Sequence, residues 1–307
     1  MIYTVTLNPA RDRSVVIENF AAGKVNRVLE LRDDPGGKGI NVSKVIRVLG
    51  GESVAMGILG GGTGEYIQRA VAELGIAADF VFTDKETRTN IKISDPVNHE
   101  TTDINEKGAI APEDAARVLE KLLTRLVPGD SVVIAGKLDT NAVDLPLWIS
   151  GIAAKGARVY LDTEGEALKT GVKCAPYLIK PNDDELSQLL GRGLNGIEDI
   201  ISAAKAIIAE NGVHTVAVSL GSRGAVFVTE KDVYAAEAVR VEAVSTVGAG
   251  DTVMASLAYM DSIGADFKDA CALAIAAGAA AVTCPGTSSP SKELIDELLK
   301  RVELKKL

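Results

Sequence analysis

At 307 residues the chain can bury about three quarters of the surface its unfolded form exposes, so it needs neither disulfides nor a metal to fold. Its residues are 47% apolar but only 4% aromatic, which predicts an aliphatic core. A net charge of −9 and a pI near 5.0 weigh against DNA, RNA or an anionic membrane as partner, while a small anionic substrate needs only a few local cations.

Ile2–Leu7 reads as a first strand and not as a signal peptide. Residues 11–34, with Arg13-Ser14-Val15-Val16-Ile17, are β-prone yet mix charged with apolar side chains. Val42, Val45, Ile46 and Leu49 then fall at i, i+3, i+4 and i+7, a helix that Gly50-Gly51 can end. Ser53–Leu59 is the next strand, followed by a tight strand-to-helix turn at Gly60-Gly61-Gly62-Thr63-Gly64-Glu65. No register of that turn gives G-x-G-x-x-G, and the chain holds no G-x-x-x-x-G-K-[ST], so a nicotinamide oxidoreductase and a P-loop enzyme both lack their fingerprints.

Residues 86–108, with Thr89-Asn90-Ile91-Lys92-Ile93-Ser94, repeat the mixed β-prone pattern. Neither this segment nor 11–34 has a following helix, so both are expected to form a small second sheet projecting from the core as a lid. Pro112 opens a helix with Val118, Leu119, Leu122, Leu123 and Leu126 inward. Ser131–Ala135, Arg158–Asp162, Tyr177–Lys180, Thr215–Leu220 and Ala225–Thr229 read as strands, Ile197–Asn211 and Thr252–Ser262 as helices. Ala270–Cys284 is short and rich in small residues, a buried helix and not a membrane span. Glu293–Leu307 reads as an amphipathic helix with a Lys-rich, solvated end. Alternating β and α predicts one domain over residues 1–307: a doubly wound α/β core, its mostly parallel sheet flanked by helices, plus the lid.

Cys174, Cys271 and Cys284 are widely spaced and form no CxxC, which points to a reducing cytoplasm and away from a zinc cage or disulfide frame. His99 and His214 are the only histidines, and no Ser-His-Asp or Cys-His set can be built on them. Chemistry here falls to a carboxylate and backbone amides.

Ser245-Thr246-Val247-Gly248-Ala249-Gly250-Asp251-Thr252 lies between a strand-like run, Val239–Val244, and an apolar helix. Two glycines and an alanine before a helix leave amides bare for an anion. A carboxylate beside an anion makes sense where it must accept a proton, as in phosphoryl transfer to a hydroxyl. The same run also fits a capping Asp after a glycine turn. Asp34-Pro35-Gly36-Gly37-Lys38-Gly39-Ile40-Asn41-Val42 opens another helix; its glycines permit close approach to a ligand, with Lys38 and Asn41 on the edge, or form a plain turn. Lys180-Pro181-Asn182-Asp183-Asp184-Glu185 places Asn182 and Glu185 three apart, either a water-mediated Mg²⁺ pair or a capping box. Ser219-Leu220-Gly221-Ser222-Arg223-Gly224-Ala225 joins two strands by a tight turn, either a nucleotide cradle or simply a hairpin, and Asp12 follows the first strand, where α/β ligands bind, or is a surface turn residue.

Taken together, these motifs resemble those of the ribokinase-like (PfkB) sugar kinases along nearly the whole chain. Gly36–Asn41 is similar to that family's N-terminal signature and Thr246–Thr252 to its C-terminal one. Thr6-Leu7-Asn8-Pro9-Ala10-Arg11-Asp12-Arg13 resembles the branch acting on sugar phosphates, the 1-phosphofructokinases and tagatose-6-phosphate kinases. Thr101-Thr102-Asp103-Ile104-Asn105 and Ser245-Thr246-Val247 look closer to the former, Asn105-Glu106 to the latter.

The resemblance implies ATP and Mg²⁺, with Asp251 as base and the amides of Gly248, Ala249 and Gly250 around the moving phosphate. It implies sugar hydroxyls at Asp12, Gly37 and Asn41, and the substrate's own phosphate at Lys38 and Arg88. Asn182 and Glu185 would organise Mg-ATP; Ser219, Gly221 and Gly224 would line the nucleotide; paired lids would make a homodimer. A non-catalytic sugar-phosphate sensor on this fold would not need Asp251. The chain departs from the branch at Ala135-Gly136-Lys137-Leu138-Asp139, where relatives carry Ser-Gly-Ser-Leu-Pro, and at Arg11, usually aliphatic. Lys137 is thereby offered as a further phosphate contact, or the sugar differs.

Overall fold

The opening apolar run forms β1 (Ile2–Thr6), buried at every residue, and the computed structural model describes residues 1–307. The chain then leaves the core as β2 (Ala10–Val16) and β3 (Glu30–Gly36) and returns through α1 (Lys38–Val48), β4 (Ser53–Gly60) and α2 (Gly61–Glu73). Short β5 (Ala77–Ala78) and β6 (Val81–Thr83) follow, then a second excursion, β7 (Thr89–Asp95) and β8 (Glu100–Asn105). The core resumes with α3 (Pro112–Arg125), β9 (Ser131–Ala135), α4 (Leu145–Ala154), β10 (Arg158–Asp162), α5 (Gly165–Val172) and β11 (Leu178–Ile179). It closes with α6 (Asp183–Leu190), α7 (Gly196–Asn211), β12 (Thr215–Ser219), β13 (Ala225–Thr229) and β14 (Val233–Ala236). Last come α8 (Ala249–Ser262), α9 (Phe267–Ala281), α10 (Lys292–Leu299) and β15 (Lys305–Lys306).

The main sheet runs β15-β14-β13-β12-β11-β10-β9-β1-β4-β5, with β6 also on β4; it is parallel from β5 to β12 and antiparallel beyond. Central strands are apolar at successive positions because helices cover both faces. In β9, Val132 and Ile134 enter the core under α3, α4 and α7, while Val133 and Ala135 enter the opposite core under α1, α8 and α9. Truncating a fully buried residue such as Ile134 to Ala is expected to cost about 2–5 kcal/mol. No helix is long and apolar enough to cross a membrane.

Three expectations change. The mixed segments do form a separate four-stranded sheet, β3-β2-β7-β8, but β3 runs into α1 with only Gly37 between, so a helix does follow the first of them. Val239–Val244 forms no strand. Val239, Val241 and Ala243 line a cavity instead, and the amides of Val244 and Ser245 both donate to the Val282 carbonyl, at 2.7 and 3.1 Å. The C-terminal segment is helical only to Leu299, and its lysines add β15 to the edge of β14, where Lys306 pairs with Asp232.

The carboxyl ends of β1, β9, β10, β11 and β12 point the same way, so the segments after them meet at one rim. The lid arches over that rim. Its registers place Asp12 opposite Asp34 and Asn90, and Asn90 opposite Asn105, on the face toward the rim. Val15, Leu31 and Ile93 share the other face. Behind the rim, Asp261 in the last turn of α8 accepts hydrogen bonds from the Tyr160 and Tyr177 hydroxyls and pairs with Arg158, fixing the rear of α8 to the start of β10.

Candidate active site

Between lid and rim lies a cavity of about 1210 Å³. Every site residue singled out in the sequence lines it: Asp12, Gly37, Lys38, Asn41, Arg88, Lys137, Asn182, Glu185, Ser219, Gly221, Gly224 and Gly248–Asp251. The capping-box reading of Asn182 and Glu185 holds. Asn182 caps α6 by accepting from the Glu185 amide at 2.7 Å, and Glu185 Oε2 accepts from the Asn182 amide at 2.9 Å. Oε1 of Glu185 makes no hydrogen bond and stays available at the cavity wall.

The floor is the start of α8. Its N-cap, Gly248, has φ 83°, a left-handed conformation that favours glycine, and this turn aims the following amides at the cavity. The Gly248 and Gly250 N–H groups have no partner within the protein; the Ala249 N–H reaches back to the Thr246 carbonyl at 3.4 Å, a long contact. The three amides are therefore not equivalent as anion donors. Lys180 Nζ lies so near Gly250 that a Cβ there would sit 3.1 Å from it.

Asp251, in the first turn, is 6% exposed and accepts from Asn41 Nδ2 at 2.8 Å. Burial, then the neighbouring Asp162 carboxylate, push its pKa up to about 6, against the pull of Lys38, Asn41 and Lys180. A buried carboxylate with that pKa is ionised at neutral pH yet basic enough to take a proton.

Asp162 was not picked out in the sequence. It ends β10, 1% exposed, with Lys38 Nζ 3.1 Å from Oδ1 and Lys180 Nζ 3.3 Å from Oδ2. Burial alone would raise its carboxyl, but Lys180 and Lys38 hold it below the usual carboxylate value. Conversely, burial would lower Lys38, and Asp162 with Asp251 raise it. A carboxylate at the carboxyl end of a predicted central strand is the signal that found Asp12, and it would have found Asp162. Lys180 stood in a quoted motif without a role. Lys44, 8% exposed, donates to Asn41 Oδ1 at 3.2 Å and had no signal, since a lysine in a helix is ordinarily solvated.

On the lid side, Asn90 Nδ2 donates to Asp12 Oδ1 at 2.9 Å. Arg88 donates to the carbonyls of Glu106 at 3.0 Å, Asn8 at 3.2 Å and Pro9 at 3.4 Å, which rigidifies its guanidinium beside the cavity. Lys137 is 84% exposed, with Glu164 Oε1 at 3.4 Å. An ion pair that exposed holds it weakly.

The glycines of Gly36–Gly39 serve differently from expectation. A Cβ on Gly36 would lie 2.0 Å from Asp12 Oδ2, and one on Gly39 2.5 Å from Thr6 Oγ1 and 2.8 Å from the Val5 carbonyl. These two make room for the end of β1 and for the lid carboxylate, not directly for a ligand. The far end of the cavity is apolar: Val239, Val241, Ile275, Ala279 and Val282 face the turn that carries Ser219, Gly221 and Gly224.

The pfkB family carbohydrate kinase profile matches residues 6–294. The chain belongs to the PfkB family. Among relatives of this PfkB chain, the 1-phosphofructokinase of Rhodobacter capsulatus is 36% identical, covering 100% of this chain and 98% of its own. That of Bacillus subtilis is 35% identical, covering 100% of both. The crystal structure of phosphofructokinase-2 from Escherichia coli in complex with fructose-6-phosphate matches with TM-score 0.91 at 28% identity, over 98% of each chain. The doubly wound core and separate small sheet are thus those of PfkB kinases.

Proposed function

We propose that the protein, acting as one kinase domain with its lid, transfers the γ-phosphoryl group of ATP to the 6-hydroxyl of fructose 1-phosphate, giving fructose 1,6-bisphosphate. The observation that carries this reading is the pairing, on one helix start, of free Gly248 and Gly250 amides with a buried carboxylate of pKa about 6. Asp251 takes the hydroxyl proton as the oxygen attacks the γ-phosphorus. The bond to the β–γ bridging oxygen breaks, ADP leaves, and the amides of Gly248, Gly250 and, less freely, Ala249 hold the charge on the moving group.

Asp12, Asn41 and the Gly37 backbone hold sugar hydroxyls in this reading. Lys38, Arg88 and Lys137 meet the substrate's existing phosphate, the last by leaving Glu164. Ser219, Gly221 and Gly224 face the nucleotide, and the apolar wall suits its base. No three carboxylate, Cys or His side chains form a metal cage. Mg²⁺ fits through water at Glu185 Oε1, beside Asn182, and would neutralise phosphate charge. Leu31 and Ile104, 55% and 51% exposed on the outer lid face, support a homodimer formed through the lid. A reducing cytoplasm, where ATP and three free thiols both persist, suits the reading.

An ADP-release assay across fructose 1-phosphate, tagatose 6-phosphate, fructose 6-phosphate and free sugars tests it. Fructose 1-phosphate should give the highest kcat/KM. A preference for either 6-phosphate would reassign the acceptor, and no turnover with any sugar phosphate would favour a sensor.

A further inference from the structure

Asn41 stands between a buried ammonium and the proposed base. Lys44 Nζ donates to its Oδ1 at 3.2 Å, and its Nδ2 donates to Asp251 Oδ2 at 2.8 Å. Both side chains belong to α1, one turn apart, and both are more than nine-tenths buried. An amide can offer a neighbour either its oxygen or its nitrogen, but an ammonium has only protons to give. The contact with Lys44 therefore decides which end of Asn41 faces Asp251.

We propose that Lys44 is a positioning residue for phosphoryl transfer: it locks the Asn41 amide in the orientation that donates to Asp251 and so holds the base ionised and aimed. The inference rests on the reading of Asp251 as base. With Lys44 gone, Asn41 can turn its oxygen toward the carboxylate, and two acceptors in contact favour protonation of Asp251. Besides Asn41, the groups acting on Asp251 are Asp162, Lys38 and Lys180; burial lowers the Lys44 ammonium from its ordinary value, against the pull of Asp34, Asp12 and Asp251, and Arg32 lowers it further. Asp12 and Asp34 face each other across β2 and β3, so Lys44 also joins the lid's acidic pair to the base.

The test is a double-mutant cycle read as kcat against pH, with the best acceptor from the assay above. Lys44→Met should lower kcat about tenfold at neutral pH and move the acid limb to higher pH, with KM for ATP unchanged. Lys44→Arg, which keeps the donors, should restore the limb. In an Asn41→Ala background Lys44→Met should have little further effect, because its route to Asp251 is already cut. If the two changes multiply, Lys44 acts by its charge or by packing and the proposal is wrong. Lys44→Leu, which also has no donor, takes the place of Lys44→Met under the same criteria if the latter does not fold. Asp251→Asn, run alongside, separates the two readings: full turnover there removes the base itself, whereas an inactive Asp251→Asn with multiplying Lys44 and Asn41 effects removes only this inference.

Discussion

Asn41 and Asp251 lie 210 residues apart in the chain and share one hydrogen bond of 2.8 Å at the meeting of α1 and α8. Through it the two glycine-containing motifs of the sequence become one site.

Asp251→Asn should cut kcat by roughly 10²–10⁴ while leaving substrate binding in place. It should also stabilise the protein. The folded state holds the Asp251 proton more tightly than the unfolded chain, where the ordinary value is 3.8. Ionisation therefore costs stability, a cost absent below that pH, growing up to about 6 and constant above. At pH 7.5 the variant should gain on the order of 1–3 kcal/mol, read as a rise in Tm. Unchanged turnover would remove Asp251 from its role.

In the parent enzyme, kcat should fall as pH drops through about 6, where Asp251 takes up its proton. Asp162→Asn should move that limb to lower pH, since it removes a negative neighbour and leaves Lys38 and Lys180 unopposed. It should also destabilise by about 3–5 kcal/mol, the scale for breaking a buried ion pair. A limb that stays put or rises, with urea unfolding unchanged, would mean that Asp162 does not govern the base.

Arg88→Ala should raise KM for the sugar phosphate by about 10–100-fold, the scale of a charge-assisted hydrogen bond, and leave KM for ATP within about twofold. Arg88→Lys should recover part of the loss, because it keeps the charge without the planar fork. Equal effects on both substrates would point to general loosening of the contacts with Asn8, Pro9 and Glu106.

Gly36→Ala should act through Asp12. The new Cβ needs the space that Asp12 Oδ2 occupies, so the lid carboxylate must move. KM for the sugar should rise about tenfold or more, and an Asp12→Ala background should make the change nearly silent. An equally large effect in both backgrounds would place its cause elsewhere.

The core and the lid were legible because their patterns are local. Ser131–Ala135 is apolar at almost every position, while residues 11–34 mix charged with β-branched residues. Asp251 and Asn41 were legible because glycine-rich helix starts mark them. Asp162 carried a readable signal as a strand-end carboxylate, but its pairing with Lys38 and Lys180 arises only in three dimensions, and Lys44 acts only through burial, which no spacing announces. Val239–Val244 misled because alternating apolar side chains read alike whether they face a sheet's core or line a cavity. Lys305-Lys306 misled because edge pairing with β14 depends on the fold around it.

The lid's central pairing, β2 with β7, sets Arg11 opposite Thr89, so the small sheet is complete in sequence once Asn105 has emerged from the ribosome. Asp251 follows ~7–30 s later at usual synthesis rates. A nascent chain therefore carries the residues proposed for the sugar well before it has any group to deprotonate it. Phosphoryl transfer begins only when the last third of the polypeptide docks.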